Sequence, residues 1–83
     1  MRASFKSRLR WHCRRGTKEL DVLLGGFLER RFDELDESHQ TAFSKLVEQQ
    51  DPAIADWIWG RTPIPDGEIG RIIAMIRKDG GLD

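Results

Sequence analysis

The sequence predicts an all-α fold, a compact bundle of five short helices, and two observations carry that prediction. Apolar residues recur at three- and four-residue spacing from Phe5 to Ile76, and nothing alternates with period two over a useful length. The breaks between these runs fall on helix punctuation: Gly16, Asp36, Asp51-Pro52, Gly60 and Pro65-Asp66. A chain of 83 residues makes one helical domain over 1–83. At that size the buried share of surface is modest, so nearly every large apolar side chain is needed inside. Little room is then left for a catalytic cavity, and a binding role is favoured over an enzymatic one.

In the first helix, capped by Ser4 or Ser7, Phe5, Leu9 and Cys13 share one face, and Gly16 ends it, with Arg14 and Arg15 in its last turn. The second carries the clearest pattern, with Leu20, Leu23, Leu24, Phe27, Leu28, Arg31 and Leu35 on the amphipathic template. Gly25 and Gly26 interrupt it at about 1 kcal/mol each relative to alanine, which predicts close approach of another helix. The third begins at Asp36 or Ser38, buries Ala42, Phe43, Leu46 and Val47, and ends near Gln50. Asp51 as cap and Pro52 at the first helical position open the fourth, in which Ile54, Trp57 and Ile58 form a stripe and Trp59 faces away. Pro65-Asp66 opens the last, with Ile69, Ile72, Ile73 and Ile76 inward and Arg77, Lys78 and Gly80 at its end. The expected core is Leu20, Leu23, Leu24, Phe27, Phe43, Leu46, Ile54, Trp57, Ile69, Ile72, Ile73 and Ile76.

A net charge of zero conceals a strong asymmetry. Arg2, Lys6, Arg8, Arg10, Arg14, Arg15 and Lys18 precede the first acid, Glu19, and all fourteen carboxylates follow them. The single cysteine, Cys13, excludes an internal disulfide, and with only His12 and His39 beside it no structural zinc set can form. A reducing compartment is expected, the cytoplasm in a bacterium or the mitochondrial matrix in a eukaryote. No apolar run approaches a membrane span, and the N-terminus lacks the apolar centre of a secretory signal. Its Arg-rich, acid-free character is that of a mitochondrial presequence, but it runs without a break into the helical pattern and carries Trp11.

Candidate functional residues cluster around the first glycine. Gly16 followed three residues later by Glu19 is half of a capping box, a purely local role. The same residues beside Arg15 offer a forked donor next to a place where a partner's backbone can come close. Both readings stay open on the residues alone. Trp11 points about 200 degrees from Leu9 on a helix, so it is either an exposed aromatic anchor or a lid over the second helix. Cys13 falls on the Leu9 stripe and is expected to be buried and inert. The acidic run Asp33 to Glu37 is expected to be a solvated helix junction, and no glycine loop of phosphate-binding form is present.

The run Arg14-Arg15-Gly16-Thr17-Lys18-Glu19-Leu20-Asp21, followed by Leu23-Leu24-Gly25 and by Asp51-Pro52 ahead of Trp57, resembles the SdhE-type succinate dehydrogenase assembly factors. The resemblance covers most of the chain. It implies a small five-helix protein marked by an Arg-Gly-x-x-Glu motif. Such a protein assists covalent attachment of FAD to the flavoprotein subunit of succinate dehydrogenase and, in bacteria, of fumarate reductase. The motif falls on Arg15, Gly16 and Glu19, flanked by Arg8, Trp11 and Asp21, and together these imply a partner-binding surface. The resemblance also implies a monomeric, chaperone-like factor that holds no FAD stably itself. The flavin 8α-methyl would be held against a histidine of the client, and the chemistry would belong to flavin and client. The competing reading is a small nucleic-acid-binding helical protein that uses the basic arm from Arg2 to Lys18. The acidic remainder, with no recognition helix, opposes it.

Overall fold

The computed structural model describes residues 2–14 and 17–82, with side chains from Phe5 onward. Five α-helices follow in order: α1 (Arg2–His12), α2 (Lys18–Arg31), α3 (Glu37–Val47), α4 (Asp51–Ile58) and α5 (Glu68–Asp79). A 3-10 turn, Phe32–Glu34, follows α2, and no strand occurs among the described residues. The predicted all-α bundle of five short helices is the architecture found.

Helix ends depart from the sequence reading in ways that have local causes. Helix α1 begins at Arg2, so Ser4 and Ser7 lie inside it rather than at its cap; neither glycine nor proline interrupts that stretch. It also ends at His12, which leaves Arg14 beyond the last turn. Helix α3 is capped as expected. The Asp36 carboxylate accepts the His39 backbone N–H at 2.9 Å, satisfying one of the orphan donors of a helix start. Helix α4 takes Gln50 as its cap, one residue earlier than predicted, with Pro52 in the first turn where its missing N–H costs nothing. Helix α5 starts at Glu68, two residues after Pro65-Asp66, and is capped by Gly67, whose φ of 89° is a left-handed conformation that glycine adopts without a side-chain penalty.

The core joins all five helices. Leu9 and Cys13 of α1, Leu20, Leu24, Phe27 and Leu28 of α2, and Phe32 of the 3-10 turn are buried together with Ala42, Phe43, Leu46, Val47, Ile54, Ile58, Ile72, Ile73 and Ile76. Each fully buried side chain of this size contributes about 1.5–3 kcal/mol by leaving water. Phe43 is the aromatic hub, with ring centroids 5.6 Å from Phe27 and 5.7 Å from Phe32, and Phe5 lies 6.0 Å beyond Phe32. Leu23, Trp57 and Ile69, expected fully inside, are half-buried at the margin of this core.

The glycines of α2 do not mark a helix contact. A Cβ at Gly25 would meet nothing, and one at Gly26 would meet only the mobile end of the Arg30 side chain. Close packing occurs instead at Gly70 of α5, where a Cβ would run into the Pro65 backbone carbonyl. The loop before α5 therefore folds back against that helix.

Candidate functional site

The basic arm is partly consumed by the fold. Lys6 pairs with Asp33 at 3.0 Å, and the Arg10 guanidinium donates to Glu29, so two cations of α1 staple it to α2 and the turn that follows. The hydrogen bond from Arg10 holds the Glu29 carboxyl below the usual carboxylate range. Arg8 is different. It has no ion-pair partner among the described residues, and it lines a small cleft of about 130 Å³ between α1 and α3 with Phe5, Leu9, His12, Ser44 and Glu48. Two of the arm's cations, Lys6 and Arg10, are thus already engaged within the fold.

Trp11 stands out at the end of α1 with 69% of its surface exposed, which excludes the lid reading. The Arg14 guanidinium lies over its ring at 5.1 Å from the centroid, close enough for a cation–π contact. Cys13 beside it is buried on the Leu9 face, as expected, and is no exposed nucleophile.

The start of α2 decides between the two local readings of Glu19. Thr17 occupies the cap position, in extended conformation, and its side chain makes no capping hydrogen bond. Glu19 is then the second helical residue, whereas a capping box needs its carboxylate at the third. On this register the capping-box reading of Glu19 fails. Glu19 is exposed and, among the described residues, has no hydrogen-bond or ion-pair partner; the same holds for Lys18. Asp21, one turn into the helix, is half-buried and already engaged, so it is not an open group. Arg15 and Gly16, the other two motif residues, lie outside the described residues.

Glu19 borders a second surface feature, which the periodicity did not reveal. Lys18, Glu19, Val22 and Leu23 of α2 and Trp59 after α4 line an open groove of about 390 Å³. Val22 is 61% exposed and Trp59 38%. The outward direction of Trp59 was legible from the Ile54–Ile58 stripe; its meeting with Val22 depends on how α2 and α4 sit together. Arg8 and Glu19 border different clefts. A further cleft, about 480 Å³ between α3 and the start of α5, contains none of the predicted site residues.

A family model described as the flavinator of succinate dehydrogenase matches residues 7–79. The chain belongs to that family. Among its curated relatives, the FAD assembly factor SdhE of Pectobacterium atrosepticum is 39% identical over 79 residues, spanning 92% of this chain and 90% of that protein. The FAD assembly factor SdhE of Legionella pneumophila is 42% identical over 73 residues, spanning 88% and 91%, and that of Coxiella burnetii is 38% identical over 71 residues, spanning 86% and 87%. The match to the flavinator family begins in α1 and ends in α5, so it includes both Glu19 and the Val22–Trp59 groove. Among the described residues no group of three or more metal-binding side chains occurs, and no helix is long and apolar enough to cross a membrane.

Proposed function

We propose that this chain is an assembly factor that binds the flavoprotein subunit of succinate dehydrogenase, or of fumarate reductase, and promotes covalent attachment of FAD to it. The observation that carries the reading is Glu19: a motif carboxylate, exposed and without a partner among the described residues, at a helix start whose register leaves it no capping-box role. Arg15 and Gly16 complete the contact in the sequence, and Arg8 and Trp11 extend it along α1. Asp21 flanks it on α2. The factor acts as a monomer in the bacterial cytoplasm and is not itself the catalyst. Flavin and client supply the bond-forming chemistry, and no FAD is held stably by this chain. Its contribution is binding energy spent on one client arrangement, which favours the state competent for flavin attachment.

The test is co-expression of the flavoprotein subunit with wild-type chain or Glu19→Ala, read as covalent flavin fluorescence in a denaturing gel. Loss of the fluorescent band with a folded variant supports the reading. Full flavinylation with Glu19→Ala and with Gly16→Arg, both folded, would remove its main support.

A further inference from the structure

We infer that the groove between the first turns of α2 and the end of α4 seats an apolar side chain of the flavoprotein subunit, with Val22 and Trp59 as its walls. The inference rests on the reading that Glu19 meets that subunit, and it adds a second, apolar part to the same contact.

Three observations carry it. The groove is continuous with the proposed interface, because Glu19 itself is one of its lining residues. Its composition is that of an interface centre: valine, leucine and tryptophan form the walls, while Lys18 and Glu19, of opposite sign and without partners among the described residues, form a polar rim. In such sites a rigid aromatic wall and a small apolar contact supply most of the binding energy, and the charged rim excludes water and sets orientation.

The walls are also held in place before any partner arrives. The Trp59 backbone N–H donates to the Ala55 carbonyl at 2.9 Å, and the Arg61 N–H donates to the Asp56 carbonyl at 2.8 Å. The Arg61 side chain closes the same turn on the Asp56 carboxylate at 2.9 Å, and Arg77 of α5 donates to the Ile58 carbonyl. On the other side, Leu23 is packed against Gly80, where a Cβ would clash with it. A groove fixed in this way costs little ordering on binding. The exposure of Val22 on a helix that buries Leu20, Leu24, Phe27 and Leu28 on its other side is then accounted for by its being covered in the complex.

The experiment compares Val22→Asp, Val22→Leu and Glu19→Ala in the full chain. Affinity for the purified flavoprotein subunit is measured by calorimetry, the state of association by light scattering and folding by circular dichroism. Val22 is exposed, so Val22→Asp folds. The expected result is binding weakened about tenfold or more by Val22→Asp, near the lower bound for a centrally placed contact, and within about threefold of wild type for Val22→Leu. Wild-type affinity for Val22→Asp with weakened binding of Glu19→Ala overturns the groove assignment and leaves the Glu19 contact standing. Unchanged binding by both variants overturns the groove and the interface together. A wild-type dimer that Val22→Asp dissociates, with flavoprotein affinity unchanged, shows that a second copy covers the groove and also overturns the proposal.

Discussion

Helices α2 and α3 both begin with an acidic group near the cap, and they use it in opposite ways. At the start of α3, Asp36 accepts from the His39 backbone N–H and again from the His39 ring at 2.6 Å, while His39 Nε2 sits 3.3 Å from Glu68 of α5. The Asp36 carboxylate is spent on its own helix. At the start of α2, Thr17 makes no capping bond, and Lys18 and Glu19 are left exposed beside the apolar Val22 and Trp59. The first arrangement holds the bundle together; the second gives up capping energy and leaves donors, an acceptor and an apolar groove facing outward.

If that contrast holds, substitutions on the α3–α5 side cost stability and those at the α2 start do not. The largest loss belongs to Phe43→Ala. It removes the hub of the aromatic cluster and should destabilise by about 3–5 kcal/mol in chemical denaturation. A loss below about 1 kcal/mol would mean that the core is not organised around that ring. Next comes Gly70→Ala, where the new methyl meets the Pro65 carbonyl oxygen. The backbone has to shift, and a cost of about 1–3 kcal/mol is expected for such overpacking. Gly25→Ala, at a position with open space, should instead be neutral or stabilising by up to about 1 kcal/mol through helix propensity.

A smaller effect separates the two helix starts by pH. The hydrogen bond from the His39 backbone, then that from its ring, lowers the Asp36 pKa. A carboxylate with a depressed folded pKa contributes stability that is fully present above its unfolded value, about 3.9, and is lost as pH falls through the lower folded value. Thermal melts of wild type and Asp36→Asn should therefore differ at neutral pH and converge below about pH 4. Parallel curves for Asp36→Asn across the whole range would contradict the capping assignment.

Much of this was legible in the sequence where periodicity speaks and illegible where tertiary contact decides. The inward faces of α2, α3 and α5 follow from spacing alone, as does the burial of Cys13 on the Leu9 face. Phe32 was passed over because the template continued through Arg31 and Leu35, whereas the chain tightens into a 3-10 turn there and the phase changes. Gly25 and Gly26 looked like a packing site and Gly70 did not, since only the folded loop brings the Pro65 carbonyl over α5. Of the site, the exposure of Trp11 and the outward turn of Trp59 could be argued from helical angles. The register at Thr17, which frees Glu19 from capping, could not. Nor could the groove, whose walls come from helices distant in sequence.

The central claim, that Glu19 serves a partner and not its own helix, is tested most directly by covalent flavin fluorescence of the flavoprotein subunit co-expressed with Glu19→Ala, scored against the variant's own melting temperature. The account predicts an unchanged melting temperature, a stability change within about 0.5 kcal/mol as for an ordinary surface site, and a lost or strongly reduced flavin band. A full flavin band from this variant, or a fall in flavinylation that merely follows a fall in melting temperature, would contradict it.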